Sequence, residues 1–430
     1  MRFKGTALLA AALVGIISYY FLIDLPSEKR KNKEKDRAEK VILFDPENVK
    51  GISFTKGEVT ITLKGLGIDE WQMTAPVNAK GDALAVSEFL SFLSNLNFTR
   101  VVEESSKDLS PFGLDTPGLR IILSMNNGET KGVRVGDDHP MGNKVYLALL
   151  KGSQVLAAGV TKNRLDRSAH DLRDKTILDF KTPLIKKIEF IRNGKTLNLI
   201  KDKESWQVLE NRISAKGNET EITNLLNKIQ AAQIEQFVEE NSKQLTFYGL
   251  NNPKLTVKLT TLKSKEPLTL LVGNKNEHGF YAKTLLKKNV FTIGQSLFDS
   301  LNNREFVHFL NKSLVDFNDN DVIKMTLRMD NVTVDLIRNK KDLQEWTMQQ
   351  PIEMKANTST INSVLFDLKN TRIVEFVSTQ AKNSEVFNFE QSEKEINLTY
   401  KSGETWALKL NKKASNPDHY LAQRTDEEAF

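Results

Sequence analysis

The sequence predicts an α+β protein in which an N-terminal membrane-spanning helix is followed by three tandem repeats, each a mainly antiparallel sheet with one packed helix. Three observations carry this prediction. A Trp-centred stretch occurs three times: Glu70-Trp71-Gln72-Met73-Thr74-Ala75-Pro76, Glu204-Ser205-Trp206-Gln207-Val208 and Glu345-Trp346-Thr347-Met348-Gln349-Gln350-Pro351. The three tryptophans lie 135 and 140 residues apart. An apolar stripe of helical period follows each of them, and an uncharged apolar run stands ahead of all three.

The first element in the chain is that run, residues 6–23, with Arg2 and Lys4 before it and Tyr19 and Tyr20 near its end. Its eighteen residues just suffice to cross a hydrocarbon core of about 30 Å as a helix. A cleaved signal peptide would be followed by small residues at the cleavage site. Here Phe21-Leu22-Ile23-Asp24-Leu25-Pro26 follows, so an uncleaved signal anchor is expected. Residues 29–40 carry Lys29, Arg30, Lys31, Lys33, Lys35, Arg37 and Lys40 against Glu34, Asp36 and Glu39. That charge argues against export, whereas Arg2 and Lys4 argue for it; long domains translocate despite such charge. The expected arrangement is a single pass through a membrane, with residues 41–430 on the exported side. Residues 1–40 then form the anchor and a basic linker.

Bulk properties bound what the body can be. A chain of 430 residues has room for about two to four domains. Its 39% hydrophobic and 27% charged residues describe a globular protein, neither disordered nor fibrous. The formal charge is +6, and most of it sits beside the apolar run. A nucleic-acid binder concentrates basic charge on its folded part, so no nucleic-acid partner is expected. The chain has no cysteine, which excludes disulfides, thiolate metal sites and a cysteine nucleophile.

Each repeat opens with two short alternating runs joined by a turn signal. They are Ile52/Phe54 and Val59/Ile61/Leu63 around Lys56-Gly57, Ile188/Phe190 and Leu197/Leu199 around Asn193-Gly194, and Met325/Leu327 and Val332/Val334/Leu336 around Asp330-Asn331. The Trp strand comes next, then the helix. Its stripe reads Val86, Phe89, Leu90, Leu93, then Ile222, Leu225, Leu226, Ile229, then Ile361, Val364, Leu365, Leu368. The i, i+3, i+4, i+7 spacing marks one buried face. Asp82, Asn218 and Thr358 or Ser359 are the candidate N-caps. Phe112-Gly113-Leu114 then aligns with Tyr248-Gly249-Leu250 and Phe387-Asn388-Phe389. Gly, Gly and Asn at one position predict a backbone with positive φ. Further strands follow at Leu119-Ile121-Leu123, Leu255-Val257-Leu259 and Ile396-Leu398-Tyr400, and others end at Gly136, Gly273 and Asn411. Tyr146, Tyr281 and Tyr420 open the next ones.

The order is thus β-β-β-α-β-β-β, with repeat domains at 41–176, 177–312 and 313–430. In the first two, residues 155–160 and 290–293 add a last strand before a helical segment. The third stops ten residues after Tyr420 and is expected to be incomplete, with an edge that another chain could complete.

These marks resemble a bacterial family known only as a domain of unknown function, numbered 4340. The shared features are Phe44-Asp45-Pro46, Trp71 with Ala75-Pro76-Val77, Val101-Val102-Glu103-Glu104, Phe112-Gly113-Leu114-Asp115 with Pro117, Val135-Gly136-Asp137, Val145-Tyr146 and Asp171-Leu172-Arg173-Asp174. The first copy matches best and the third is the most divergent. The resemblance implies a membrane-anchored exported protein, encoded beside genes for ABC transporters similar to those of gliding motility. It implies an accessory role at such a complex, and it brings no catalytic residues.

The residues themselves point the same way. His139, His170, His278, His308 and His419 are dispersed, and a metal site needs ligands converging on one point. Asp137-Asp138-His139 is the one dense set, and it is not repeated. Glu103-Glu104 and Glu239-Glu240 are neighbours in sequence, and neighbours on a strand face opposite ways. No G-x-S-x-G elbow, P-loop, dinucleotide glycine pattern or H-E-x-x-H occurs. Neither enzyme activity nor a cofactor is expected. Trp71, Trp206 and Trp346, with Gly113, Gly249, Tyr146, Tyr281 and Tyr420, are expected to be structural markers of the repeated core. The expected function is a non-catalytic accessory or scaffold of the cell envelope, bound to protein partners such as transporter subunits. The alternative is an exported module for cell-wall glycan or another envelope ligand, with the tryptophans lining a cleft.

Overall fold

The computed structural model describes residues 37–424 apart from 117, 204, 212, 340–341, 378–388 and 413–418, together with Leu13 and Tyr20. Residues 6–23, where the span is expected, otherwise lie outside the described residues. Among the described residues no helix is long and apolar enough to cross a membrane.

The chain divides into two compact units, Met1–Lys175 and Thr176–Phe430. The first holds one sheet, built from β1 (Val49–Lys56), β2 (Val59–Gly67), β3 (Glu70–Ala75), β4 (Ala79–Lys80), β5 (Phe98–Glu103), β6 (Leu119–Met125), β7 (Thr130–Asp138), β8 (Val145–Leu149) and β9 (Val155–Ala158). The spatial order is β4-β3-β2-β1-β6-β7-β8-β9-β5. The second unit holds two sheets. One contains β10 (Ile185–Arg192), β11 (Lys195–Asp202), β12 (Ser205–Glu210), β13 (Ile213–Lys216), β14 (Gln236–Glu239), β15 (Leu255–Thr261), β16 (Leu268–Asn276), β17 (Gly279–Thr284) and β18 (Val290–Ile293), in the order β13-β12-β11-β10-β15-β16-β17-β18-β14. The other contains β19 (Val322–Met329), β20 (Val332–Arg338), β21 (Trp346–Gln350), β22 (Met354–Lys355), β23 (Lys394–Tyr400), β24 (Thr405–Lys412) and β25 (Tyr420–Arg424), in the order β22-β21-β20-β19-β23-β24-β25. The paired strands are antiparallel throughout, so the protein is α+β.

Two strands per full repeat exceed the sequence expectation. The strands β4 and β13 are short additions to the Trp strand. The strands β5 and β14 follow the helix and pair only with the last strand of the sheet. The first hairpin turns at Gly57-Glu58, one residue beyond the Lys56-Gly57 signal, because Lys56 pairs with Val59. Asn193 and Gly194 both have positive φ, as a two-residue hairpin of type I′ requires.

The helices are α1 (Ala83–Ser94), α2 (Lys162–Leu165), α3 (Glu219–Ala231), α4 (Gln295–Asn302) and α5 (Thr358–Asn370). The stripes of α1 and α3 are buried at all four positions; in α5 Ile361, Leu365 and Leu368 are buried. Asp82 and Asn218 cap as expected, accepting from the Ala85 and Glu221 N–H groups. The third cap is Asn357, which accepts from Thr360, rather than Thr358 or Ser359.

Backbone bridges flank the long helices, two at each of the first two and one at the third among the described residues. The incoming chain meets the residues after it, at Lys40↔Asn97, Thr176↔Gln233 and Ser313↔Arg372. In the first two repeats the outgoing chain returns to the residue before the helix, at Gly81↔Arg173 and Gly217↔Leu310.

The far face of the first two sheets is covered as well. Leu114, Ala148 and Val155 form a small second core with Phe112 and Tyr146, and Tyr248, Leu250 and Val290 form its counterpart with Tyr281. Alternation along β8 explains this: Val145 and Leu147 join the helix-side core, whereas Tyr146 and Ala148 join the other.

Candidate functional site

The repeated residues account for the packing. Trp206 and Trp346 are buried, and Trp71 is half-buried against the first core. Their carbonyls accept from the N–H groups of Gly217 (2.7 Å), Ala356 (2.9 Å) and Gly81 (2.7 Å), each just ahead of the helix cap. Arg338 stacks 4.8 Å over the Trp346 ring, and the buried indole N–H of Trp346 has no hydrogen-bond partner. Gly113 and Gly249 are left-handed, with φ of 64° and 69°; Asn388 lies outside the described residues.

These turns lean on the next strand. Gly136 and Gly273 lie within β7 and β16 rather than ending them, at register shifts against β8 and β17. A Cβ at either would overlap the carbonyl oxygen of Phe112 or Tyr248. The same turn sets Phe112 edge-on to Tyr146 at 5.0 Å and Tyr248 edge-on to Tyr281 at 4.8 Å.

Tyr420 opens β25 as expected, but in different surroundings. It is exposed, accepts a hydrogen bond from Lys394 Nζ at 3.0 Å, and has that ammonium 4.8 Å from its ring. The register explains the difference. Ala422 lies opposite Leu410, as Leu147 lies opposite Val135 and Ala282 opposite Val272, so Tyr420 stands two residues ahead of that pair where Tyr146 and Tyr281 stand one. The fourth tryptophan, Trp406, takes the place of Lys131 and Leu268. It is buried, and nothing in the repeated frame marks it in the sequence.

The titratable candidates serve local structure. His139 Nδ1 accepts from the Met141 N–H at 3.1 Å, and His308 Nδ1 from the Glu305 N–H at 3.0 Å. His278 Nε2 lies 3.1 Å from Glu277 Oε1. His170 has an interaction of its own, and His419 is exposed. The Asp137 carboxyl packs against Gly113. Glu104 accepts from Gln154 at 2.7 Å. Glu239 accepts from the Tyr248 hydroxyl at 2.8 Å, which pushes the phenol pKa up. Among the described residues no three His, Asp or Glu side chains gather as metal ligands would.

A surface groove of about 650 Å³ is lined by Phe54, Lys56, Pro76, Asp166, Arg167 and Asp171. Its charges are already engaged. Lys56 pairs with Asp166 at 2.5 Å, and Arg167 stands 5.5 Å from the Phe89 ring. Burial pushes the Asp171 pKa up, but hydrogen bonds from the Ser168 N–H and hydroxyl hold it below the ordinary range.

The edge of the third sheet differs from those of the first two. In the order β8-β9-β5 and again in β17-β18-β14, a fully buried strand is held on both sides. In the third sheet β25 comes last among the described residues. The Arg424 guanidinium donates from Nη1 to the carbonyls of Ser313 (3.1 Å) and Leu314 (3.0 Å).

No curated protein matches this chain. Among solved structures, a DnaN sliding clamp (DNA polymerase III subunit beta) from Pseudomonas aeruginosa bound to griselimycin aligns at 8% identity and a TM-score of 0.14, covering 90% of this chain and 93% of the clamp. A DNA polymerase sliding clamp from the same organism with ligand aligns at 9% identity and a TM-score of 0.13, covering 90% and 94%. At such TM-scores the likeness bears on neither fold nor function. The family model described as Domain of unknown function (DUF4340) matches residues 71–242 and 206–392. Each match begins on a tryptophan of the repeated frame, and together they span most of the chain, which therefore belongs to the DUF4340 family.

Proposed function

We propose that this protein is a non-catalytic scaffold of the bacterial cell envelope, anchored in the inner membrane by residues 6–23. Its sheets stand on the periplasmic side and brace protein partners, of which subunits of an ABC-type transport complex are the first candidates. The observation that carries this reading is the use made of the repeated residues. Trp206 and Trp346 are buried, the Gly113 and Gly249 turns pack on Tyr146 and Tyr281, and the carboxylates and histidines bond to their neighbours. What recurs is a fold, and that suits a brace better than a reaction centre.

The glycan-binding alternative needs the tryptophans in an open cleft, and the burial of Trp206 and Trp346 removes its main support. Affinity capture of the full chain from gently solubilised membranes tests the scaffold reading. Recovery of transporter subunits is the expected result. Their absence, with the protein itself recovered intact, would remove that partner.

A further inference from the structure

We propose that the groove lined by Phe54, Ile61, Pro76, Leu119 and Ala169 is a docking site for one aromatic side chain of a partner protein, seated as the second repeat seats its own Phe306. This deepens the scaffold reading and rests on it only for the ring being carried by a protein.

Backbone bonds match the first two repeats residue by residue at this place. The Asp82 N–H donates to the Leu172 carbonyl at 2.9 Å, and the Asn218 N–H to the Phe309 carbonyl at 2.7 Å. Leu172 and Phe309 are therefore equivalent. The loop ahead of them agrees as well. The Ser168 N–H donates to the Asp171 carboxylate and the Glu305 N–H to the His308 imidazole, each three residues on. Ala169 thus stands where Phe306 stands. The floors also match, since Phe54 lies opposite Ile61 and Ile121, and Phe190 opposite Leu197 and Val257.

What differs is the group resting on the floor. Phe306 is buried in the second core, and Phe309 stacks on Phe190 at 5.9 Å. In the first repeat a methyl replaces the Phe306 ring, and a groove of about 650 Å³ lies open over Phe54, Ile61 and Leu119. An apolar cavity of about 150 Å³ already holds benzene, so a ring has room here.

The rim changes in the same sense. Val59 opens β2 and is 60% exposed, where Lys195 opens β11. Pro76 follows Trp71 by five residues, where Asn211 follows Trp206. The repeat that fills this place from within has a polar rim, and the repeat that leaves it open has an apolar one. Exposed apolar surface beside a groove marks an interaction site. A free ring would cover the floor and leave Val59 and Pro76 bare. Residues on either side of an aromatic one in a protein segment would cover them too.

The wall is set before a guest arrives. Lys56 pairs with Asp166 at 2.5 Å, and the Ser168 hydroxyl donates to Asp171 at 2.8 Å. In the second repeat Arg192 holds the corresponding stretch by donating to the Asn302 and Arg304 carbonyls. A wall already held costs little ordering on binding. Lys56 and Arg167 balance Asp166 and Asp171, so the groove calls for an uncharged ring, the chemistry of Phe306.

The probe is an acetylated, amidated pentapeptide of alanine with 4-fluorophenylalanine at its centre. It is titrated against the full-length protein in lipid nanodiscs, and the broadening of its fluorine resonance is read, with empty nanodiscs as the baseline. Saturable broadening is the expected result. Ala169→Phe should weaken the peptide at least about tenfold, because its ring fills the groove, and Val59→Lys about threefold. Hydrogen exchange over 49–82 and 160–172 should be no faster in Ala169→Phe than in wild type, since the new ring enters existing space.

Faster exchange or failure to fold in Ala169→Phe would overturn the proposal, because the groove then has no room for a ring. So would broadening that does not saturate, or that is unchanged in Val59→Lys, an exposed position that leaves the fold alone. 4-Fluorotoluene binding as tightly as the peptide would overturn the protein guest in favour of a free aromatic ligand. None of these readouts involves a transporter subunit, so failure of that partner in affinity capture is distinguishable from failure of the groove.

Discussion

Gly136→Ala should destabilise the first unit through a backbone collision. The new Cβ would overlap the Phe112 carbonyl oxygen and stand 3.0 Å and 3.1 Å from Leu114 Cγ and Cδ2. A leucine can turn away, but a carbonyl held in a turn cannot. Either β7 or the Phe112-Gly113-Leu114 turn must move, and with it the edge-on pair of Phe112 and Tyr146. Overpacking costs about 1–3 kcal/mol, and loss of the aromatic pair about 0.5–1.5 kcal/mol. Together they give roughly 2–4 kcal/mol, or about 30-fold to 700-fold in the local opening equilibrium. Hydrogen exchange of the full-length protein, read over 105–149, isolates this unit, because a chain of several folded parts need not unfold in one step. Gly67→Ala is the control, since a Cβ there meets nothing within 4 Å. If Gly136→Ala exchanges as slowly as the control, the close approach of turn and strand is not what fixes glycine here.

The helix caps predict a smaller loss. Asn218→Ala and Asn357→Ala should each cost about 1 kcal/mol in denaturant unfolding, with serine recovering most of it. Trp346→Ala should cost about 3–5 kcal/mol. Trp346→Phe should cost much less than that, since it also removes a buried N–H that has no partner. The last prediction concerns pH. The Lys216 hydrogen bond and charge hold the Asp316 carboxyl below its ordinary pKa. The folded state therefore binds this proton more weakly than the unfolded one. The contribution is present above about pH 4, the ordinary aspartate range, and is lost as pH falls through the lowered value. The pair is largely solvent-exposed, so it is worth under about 1 kcal/mol. Melting curves of wild type and Lys216→Ala should converge as pH falls below that range, and a constant difference would contradict the assignment.

Helix positions were the most legible part of the sequence, because burial of one face imposes a period that eight residues already display. The capping asparagine at 357 was not, since it is followed by Thr358 and Ser359, which have the same chemistry. The strand β5 escaped because its residues are mostly half-exposed, so alternation has little to act on. Gly136 looked like a strand end because a bulge and an end both call for glycine. Tyr420 kept the right spacing but not the right surroundings, since the third sheet lacks the register shift found beside Tyr146 and Tyr281.

The bridges at either end of the first long helix also decide how a pull on the chain is carried. In the unit Met1–Lys175, tension arriving from the N-terminal side reaches a short clip, where Val41 N–H bonds to Leu96 O and Phe98 N–H to Glu39 O, both at 2.9 Å. Tension from the far side reaches another, where Asp82 N–H bonds to Leu172 O at 2.9 Å and Asp174 N–H to Lys80 O at 3.0 Å. The helix Ala83–Ser94 joins the two clips, so the line of force runs along it and the nine strands hang beside that line. Stretched between residues 40 and 175, this unit should release its clips before its sheet. A single rupture of the whole sheet in a force measurement would refute this. The result is a unit that lengthens under load while its folded body survives.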